Sequence, residues 1–352
     1  MVFTDIRLQN FRSYSDSSFE LGSKVVIVVG PNAAGKTNLI EALMMAACGK
    51  TYRNDEQFVR SDQAWARIDV HTKDNDVRTI KFKNENNNKP AKEFTIEEKQ
   101  FKRLPARLKQ PVVLFEPNDL IMLQGEPTGR RKFIDYMASQ LSNTFQSTLD
   151  KYKKTLAQRN ALLKTINKPD QQLFVWNVRL TELAGEVVAE RLNLIDQINK
   201  HLSQKYSLIA GQKTNLKAEY ISDISTKNYS GDLIKKLEAN AETDLLRGFT
   251  GLGPHRDDIK FVFGPSKEAI HASRGEARSL VLALKLIELE LVEKHAGVKP
   301  LLLLDDVFSE LDGQRRKTLT NHLKDHQTII TTTDADIVAK NFSQKTQIIA
   351  LS

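Results

Sequence analysis

The chain has 352 residues, of which 40% are hydrophobic and 27% charged, with one cysteine, Cys48, and a formal net charge of +8. This composition is typical of a globular protein with a sizeable core, and it excludes an intrinsically disordered chain, a disulfide framework and a multi-cysteine zinc site. No apolar run approaches the ~20 residues of a membrane-spanning helix, and the N-terminus has no signal-peptide pattern. We therefore expect a cytoplasmic protein with no membrane partner, and the positive charge indicates a polyanionic one.

Apolar runs near both ends of the chain predict buried strands. Val25–Val29 lies between two glycines, as expected of a strand covered on both faces in a largely parallel sheet. Three further runs lie near the C-terminus, at 301–304, 328–331 and 347–350. Together they predict one α/β domain, formed by residues 1–129 and 248–352.

Apolar residues at steps of three and four predict helices over about residues 130–203. Residues 167–170, Asn-Lys-Pro-Asp, predict a turn between them, because proline disfavours helix at the residue before it. Two forms remain open: a long antiparallel hairpin, whose ~35-residue arm would extend roughly 50 Å, and a compact helical cap. Either way, 130–247 is expected to be a second domain inserted in the first. The asparagine-rich residues 84–90 predict a solvated hairpin turn.

A complete phosphate-loop pattern, GxxxxGK[ST], lies directly after the strand Val25–Val29 and before an amphipathic helix. In that setting the glycines let backbone N–H groups turn toward phosphate oxygens at the helix N-terminus. Lys36 is expected to reach the β- and γ-phosphates, and the Thr37 hydroxyl to bind Mg²⁺. The predicted nucleotide-binding residues are Gly30, Pro31, Asn32, Ala33, Ala34, Gly35, Lys36, Thr37 and Asn38.

Two aspartates follow the leucine run 301–304, where ligands bind in open α/β sheets. Asp305 suits a Mg²⁺ ligand, directly or through water. Asp306 suits the polarisation of an attacking water as a general base, and with Lys36 it forms the predicted catalytic pair. The alternative is a pair of solvated carboxylates that simply end a strand. The complete phosphate loop in the same chain favours the catalytic interpretation.

Ser273-Arg274-Gly275-Glu276 precedes a helical run and resembles the signature motif of ABC-type ATPases. In that family the signature of one subunit closes on the nucleotide held by another. Residues 309–312, Ser-Glu-Leu-Asp, resemble its D-loop. The chain as a whole resembles the RecF family, which is related to SMC proteins, through residues 10–14, 36–42, 115–120, 130–135, 253–258 and 303–312.

The resemblance implies an ABC-type P-loop ATPase head with a mixed sheet, α/β in class, plus an inserted α-helical, coiled-coil-like arm. It also implies a weak, DNA-stimulated ATPase that acts in recombinational DNA repair and replication. ATP with Mg²⁺ would bind between the phosphate loop of one subunit and Ser273, Gly275 and Glu276 of another. ATP-dependent homodimerisation would clamp single- or double-stranded DNA at gaps or junctions, and hydrolysis would release it. A RecR-type mediator is the implied protein partner, and the nucleoid the implied location.

Several positions depart from the broader ABC pattern. Asp306 stands where transporters and SMC proteins usually have glutamate; RecF-like chains carry aspartate there, and its shorter side chain implies slow hydrolysis. Thr331–Asp334 occupies the region of the switch histidine. Glu116 is the first candidate for the Q-loop residue and Gln124 the second. Ala33 stands where family loops often have glycine, and it is tolerable there with a negative φ.

A transporter subunit is the competing interpretation. It would carry a much shorter helical insertion and a switch histidine, and this chain has neither feature. An SMC-like scaffold would need a far longer coiled coil, and a nuclease-coupled ATPase would need a further acidic metal-binding domain.

Basic residues cluster between Lys99 and Lys109 and along the arm from Arg130 to Lys168. Such clusters suit sequence-independent contacts with a phosphate backbone, and a solvated protein face is the alternative for each. Arg53 resembles the arginine-loop residue of SMC heads, with a structural ion pair as its alternative. The expected DNA contacts are Arg53, Lys102, Arg103, Arg107, Arg130, Arg131, Lys151 and Lys154.

Overall fold

A computed structural model of the chain describes residues 1–51, 57–74, 76–83, 91–165, 168, 171–265, 267–340, 342 and 346–351. The chain divides into two compact units, Met1–Asp119 with Glu288–Ser352, and Leu120–Ile287. The inserted unit is longer than the segment 130–247 because a strand within that segment pairs with a strand that follows it. The predicted turns at 84–90 and 167–170 lie outside the described residues, apart from Lys168.

The elements follow in chain order. The chain begins with β1 (Phe3–Phe11), β2 (Tyr14–Glu20), β3 (Val25–Val29), α1 (Lys36–Cys48), β4 (Trp65–Thr72), β5 (Val77–Lys83), β6 (Ala91–Ile96), β7 (Lys99–Phe101) and β8 (Val112–Phe115). It continues with α2 (Asp119–Gln124), α3 (Pro127–Leu141), α4 (Phe145–Leu163), α5 (Gln171–Ala210), β9 (Leu216–Ile221), α6 (Tyr229–Ala239), α7 (Ala241–Arg247), β10 (Asp258–Phe263), β11 (Lys267–Glu268) and α8 (Arg274–Ala296). It ends with β12 (Leu301–Asp305), α9 (Gly313–Leu323), β13 (Thr328–Thr332), α10 (Ala335–Ala339) and β14 (Thr346–Ala350).

The first unit contains a parallel five-stranded sheet in the order β14-β3-β13-β12-β8. All four strands predicted from apolar runs are present in it. Strands β3, β8 and β12 are almost entirely buried, which explains why their sequences are apolar runs rather than alternating. Strand β13 is equally buried, although three of its five residues are threonines. Because the sheet is parallel, the carboxyl ends of β3, β12 and β13 meet at one edge.

A second, antiparallel sheet has the order β2-β1-β4-β5-β6-β7. Helix α1 packs against strands of both sheets, so nearly every side chain along it is buried. Its one buried acid, Glu41, accepts hydrogen bonds from Arg12 at 3.0 and 3.1 Å and from the Thr51 hydroxyl. This pairing compensates a carboxylate that would otherwise be costly to bury.

The inserted unit is compact rather than a bare helical arm. Helix α5 has 40 residues, about 60 Å at 1.5 Å per residue, and it packs against α3, α4, α6 and β9. Strands β11, β10 and β9 form an antiparallel sheet. The helical run from 130 breaks between Leu141 and Phe145, so α4 is only 19 residues long. The unit contains the predicted pair of packed helices, α4 and α5, and also a three-stranded sheet that neither predicted form included. Within the described residues, no helix is long and apolar enough to cross a bilayer.

Candidate functional site

The loop between β3 and α1 has the form that a phosphate loop requires. A Cβ atom on Gly30 would lie 2.8 Å from the Leu351 carbonyl oxygen, so a larger residue does not fit there. Gly35 has φ 96°, and a Cβ atom there would lie 2.9 Å from the Tyr14 hydroxyl. That hydroxyl donates to the Gly35 carbonyl at 3.0 Å. Both glycines are therefore demanded by close packing, and the second also by its left-handed backbone.

The backbone of Ala33 differs from the expectation. Its φ is +69°, whereas a negative value was predicted to make alanine tolerable at this position. A left-handed alanine costs roughly 1–2 kcal/mol because its Cβ crowds the following carbonyl oxygen. The loop is thus strained at one residue beside the cavity that it lines.

Lys36 and Thr37, the first residues of α1, line a cavity of about 390 Å³ together with Asn32, Ala33, Gly35, Asn38, Pro117, Asp305 and Asp306. The Lys36 ammonium is largely buried and donates to the carbonyl oxygens of Gly30 and Pro31, at 2.7 and 2.8 Å. The Thr37 hydroxyl lies 3.3 Å from Asp305 Oδ1. The fold therefore brings together residues that lie 268 positions apart in the sequence.

Thr331, on the neighbouring strand β13, holds both aspartates. Its hydroxyl donates to Asp305 Oδ1 at 2.6 Å. The backbone N–H of Asp306 lies 3.1 Å from both the hydroxyl and the carbonyl oxygen of Thr331. Sequence patterns distinguish this region only by its missing histidine and do not reveal this role. The role could have been inferred from a threonine near the end of β13, because this strand pairs with β12, which ends in Asp305.

Asp306 has an unusual environment for a carboxylate that directly follows a strand. Its φ is +52°, and its Oδ1 is buried without a hydrogen-bond partner among the described residues. Burial raises the pKa of Asp306, and nearby Asp305 adds to the shift, while Ser309 and Lys36 oppose it. A carboxylate with a raised pKa and an unused acceptor atom in a cavity suits a general base.

The residues around this cavity fit a nucleoside triphosphate and a hard cation. The Thr37 hydroxyl and the Asp305 carboxylate offer the oxygen ligands that Mg²⁺ prefers. The glycine loop, the N-terminus of α1 and the Lys36 ammonium offer the donors and positive charge that phosphates need. The orphaned Oδ1 of Asp306 leaves one acceptor for a further polar group.

In the inserted unit, Ser273 directly precedes α8, and Gly275 and Glu276 lie in the first turn of that helix. The Ser273 N–H donates to Glu276 Oε2 at 2.8 Å, and the Glu276 N–H donates to Ser273 Oγ at 3.3 Å. This reciprocal pair is a capping box, which stabilises a helix start. Lys267 pairs with Glu276 and, with Ser273, lowers the pKa of that carboxyl. Gly275 lies within this turn, and anion binding at this helix N-terminus stays a prediction.

The two Q-loop candidates differ in position. Glu116 directly follows β8, and its backbone N–H donates to Asp119 at 2.9 Å. Pro117, the next residue, lines the cavity. Gln124 donates to the carbonyl oxygen of Ala272, next to the signature, at 3.2 Å.

Comparisons with known proteins agree with this geometry. A family profile described as an AAA domain matches residues 5–247. The chain is 35% identical over 348 residues to the DNA replication and repair protein RecF of Agathobacter rectalis, covering 97% of this chain and 94% of that one. It is 31% identical over 354 residues to the protein of the same name from Clostridium perfringens, covering 99% and 97%. The chain belongs to the RecF family.

Solved structures give the same result. One described as the recombination mediator protein RecF-ATP in the RecFOR pathway has a TM-score of 0.83 and 29% identity, covering 95% of this chain and 92% of that chain. An SMC head bound to the C-winged helix domain of ScpA has a TM-score of 0.53 and 14% identity, over 99% and 94%, and shares the fold. The predicted fold class, an ABC-type ATPase head of the RecF and SMC kind, is confirmed.

In this RecF-family chain the basic residues expected to contact DNA fall into different environments. Those on the surface are Lys102, Arg103, Arg107, Lys151 and Lys154. Arg130 is 5% exposed, and its guanidinium pairs with Asp258 and donates to two carbonyl oxygens. The structure removes Arg130 from the DNA-contact set, because its donors are already used inside the protein.

Arg131 and Arg159, both counted among the basic residues of the arm, are also engaged internally. The Arg131 guanidinium donates to the Asp257 carbonyl oxygen at 2.7 Å and to Thr128 at 3.0 Å. Arg159 is fully buried and pairs with Asp244 at 2.8 Å. Arg53 lies outside the described residues. The number of basic residues in the sequence of the arm is therefore larger than the number exposed for contact with DNA.

Proposed function

We propose that the protein is an ATP-dependent DNA-binding ATPase that acts in recombinational repair and replication. The observation that carries the proposal is the 3.3 Å approach of the phosphate-loop Thr37 hydroxyl to Asp305, in a chain of the RecF family. The solved RecF structure described as RecF-ATP supports ATP as the nucleotide. Gly30 to Asn38 would hold its phosphates, and Thr37 and Asp305 would hold Mg²⁺, which neutralises phosphate charge when bound.

The chain's own residues divide the work of hydrolysis. Lys36, now paired with two carbonyl oxygens, is the cation available for phosphate. Thr331 orients the Asp305 carboxylate and the Asp306 backbone. Asp306 accepts the proton of the attacking water, because its raised pKa makes it a stronger base than an ordinary aspartate.

ATP binding is coupled to self-association in this proposal. Ser273, Gly275 and Glu276 of one protomer complete the nucleotide site of its partner, the dimer clamps single- or double-stranded DNA at gaps or junctions, and hydrolysis reopens it. The exposed basic residues Lys102, Arg103, Arg107, Lys151 and Lys154 support the DNA contact. A RecR-type protein is the proposed mediator partner, as the RecFOR description of the related structure supports, and the nucleoid-containing cytoplasm is the proposed location.

DNA binding and dimerisation with and without ATP test the proposal. For the wild type, ATP is expected to tighten DNA binding and to shift the protein from monomer to dimer in sedimentation. Lys36→Ala is expected to lose both responses. Asp306→Asn should keep ATP-driven dimerisation but hydrolyse at least about 100-fold more slowly, since a general base contributes that much or more.

Lys24→Ala is the matched control. Lys24 is exposed at the amino-terminal side of β3 and pairs with Asp325, away from the phosphate loop at the other end of the strand. Lys24→Ala removes one positive charge, as Lys36→Ala does, but leaves the nucleotide cavity unchanged. We expect this variant to dimerise and bind DNA as the wild type does. DNA binding indifferent to ATP, or equal dimerisation in the wild type and Lys36→Ala, would contradict the proposal.

A further inference from the structure

The loop 253–258, Gly-Pro-His-Arg-Asp-Asp, takes no part in the nucleotide site proposed above. It belongs to the inserted unit and leads into β10. Gly253 has φ 129°, and a Cβ atom there would lie 3.0 Å from the Tyr152 hydroxyl, so only glycine fits. The loop is therefore packed tightly against α4.

Buried hydrogen bonds hold the loop from several elements. Asp257 is 6% exposed and accepts from three hydroxyl groups, those of Tyr220 at 2.6 Å, Tyr229 at 2.6 Å and Ser222 at 2.7 Å. The Pro254 carbonyl oxygen accepts from Arg191 of α5 at 2.7 Å. A network of this kind, with its acceptors satisfied, gives the loop one well-defined conformation.

His255 adds a second anchor. Its Nε2 lies 3.1 Å from the Thr250 carbonyl oxygen, which can only accept, so Nε2 carries the proton. Its Nδ1 then accepts from the Tyr152 hydroxyl at 2.6 Å. Burial lowers the pKa of His255 to about 4, so the ring is neutral at pH 7 and keeps this arrangement.

Arg256 is the exception within this loop, because its side chain is exposed. Its guanidinium lies 5.1 Å from the centroid of the Phe249 ring, which is itself 39% exposed. In the described part of the chain the guanidinium makes no hydrogen bond or ion pair. The loop is thus held by buried hydrogen bonds and exposes one arginine. The guanidinium N–H donors of this arginine are unused, and the guanidinium lies over an exposed aromatic ring.

The surroundings of this pair are positive. Arg247 is exposed, and Lys164, also exposed, lies within 3.4 Å of a Cβ atom built on Gly248. No acidic residue occurs between positions 247 and 256. The nearest preceding acid, Asp244, is buried and paired with Arg159. The site is therefore complementary to an anion.

We propose that Arg256 and Phe249, flanked by Arg247 and Lys164, form a contact site for a single strand of DNA. Arg256 binds a backbone phosphate through its guanidinium fork, and Phe249 stacks a base. An exposed aromatic ring beside unused arginine donors favours a nucleic-acid strand over a simple anion, because only the strand offers both a phosphate and a π-face. The rigid loop lowers the entropy cost of presenting the arginine. This inference rests on the proposed DNA-binding function and assigns it a surface.

The test uses the full chain with ATP and compares Arg256→Ala and Phe249→Ala with the wild type. Binding of an oligo(dT) strand and of a duplex of equal length is measured over a salt series. Arg256→Ala is expected to weaken oligo(dT) binding about fivefold and to reduce the salt slope by about 0.7, as for one lost phosphate contact. Phe249→Ala should weaken oligo(dT) binding about tenfold, and the duplex less, since paired bases are not free to stack.

Arg179→Ala is the matched control, because Arg179 is an exposed arginine of the same unit that pairs with Glu182. It should bind oligo(dT) as the wild type does. Both altered side chains are exposed, so thermal melts should coincide with that of the wild type, which excludes loss of folding.

Three results would overturn the site. The first is that Arg256→Ala matches Arg179→Ala in DNA binding while the wild type binds DNA normally, which leaves the proposed function intact. Arg256→Ala could instead lose affinity for a fluorescent ATP analogue and not for oligo(dT), which would make the nucleotide the source of the phosphate. The third is that Arg256→Ala loses binding to poly-glutamate while its DNA binding is unchanged, which would indicate an acidic protein partner. If the wild type itself does not bind DNA, this result contradicts the proposed function as well as the site.

Discussion

At the scale of single residues, the Thr331 hydroxyl links the carboxylate of Asp305 to the backbone N–H of Asp306. The side chain is fully buried, and its single proton goes to Asp305 Oδ1 at 2.6 Å. The same carboxylate oxygen lies 3.3 Å from the Thr37 hydroxyl. The orientation of Asp305 toward the phosphate loop therefore depends on a neighbour that would not itself touch the nucleotide's metal ion.

Thr331→Val tests this dependence. Valine keeps the volume and removes the hydroxyl, so Asp305 loses its shorter hydrogen bond. We expect ATP hydrolysis to fall at least about tenfold, as is usual when the partner that orients a metal ligand is removed. The measurement is steady-state hydrolysis over a Mg²⁺ titration, with the midpoint moving to higher Mg²⁺.

Thr332→Val is the control for this prediction. Thr332 is also buried on β13, but its hydroxyl bonds with the backbone of Asp334 and not with Asp305. It shares any general cost of the substitution and should retain the wild-type Mg²⁺ midpoint. If both variants shift the midpoint equally, Thr331 has no special role in orienting Asp305.

At the scale of elements, Arg130 fastens α3 to its neighbours. Its guanidinium pairs with Asp258 of β10 through two bonds of 2.8 Å and donates to the carbonyl oxygens of Leu123 and Gly125, at the end of α2. These carbonyls belong to a helix end, where four acceptors lack partners within the helix. One side chain thus satisfies a helix terminus and joins a helix to a sheet.

Arg130→Ala is expected to destabilise the protein by about 3–5 kcal/mol, because it leaves Asp258 as a largely buried, unpaired charge. Lys132→Ala, two residues along the same helix, changes an exposed side chain and should alter stability by no more than about 0.5 kcal/mol. Urea unfolding followed by circular dichroism gives both values. Equal stability of the two variants would restore Arg130 as a candidate for DNA contact.

At the scale of the whole molecule, the net charge is +8, but only some of the basic residues are exposed where a partner could contact them. Buried arginines such as Arg130, Arg159 and Arg191 are balanced by carboxylates inside the inserted unit. The exposed positive charge includes a run without acids from Lys99 to Lys109 in the first unit. Only the exposed set can release counterions from DNA, so the salt dependence of binding reports on it selectively.

Replacing Lys102, Arg103 and Arg107 together by alanine should lower the slope of log affinity against log salt by up to about 2.7, or about 0.9 for each lost duplex contact. The control removes the same charge from Lys24, Lys73 and Lys299, which are exposed around a different cavity of the first unit. Its slope should equal that of the wild type. Equal slopes for the two triple variants would show that the 99–109 run is a solvated face.

Local patterns in the sequence predicted the four strands of the parallel sheet correctly, and the roles of the phosphate loop and of the two aspartates stay predictions. Continuous apolar runs can only be strands buried on both faces or short buried helix segments, and their flanking glycine, proline and aspartate residues decided between the two. The family resemblance then supplied the class of head. The domain bounds stay a prediction, and pairing of β9 with β10 links residues on either side of position 247.

The sequence by itself determined that a phosphate loop follows a buried strand and that an acidic pair ends another, since each of these depends on residues that are adjacent in the chain. Tertiary structure alone decided which charges are free, which neighbour orients Asp305, and that Ala33 is left-handed. The physical reason is distance along the chain. The Arg130–Asp258 pair spans 128 positions and the Thr37–Asp305 approach spans 268, and no local pattern encodes which distant side chains packing brings into contact.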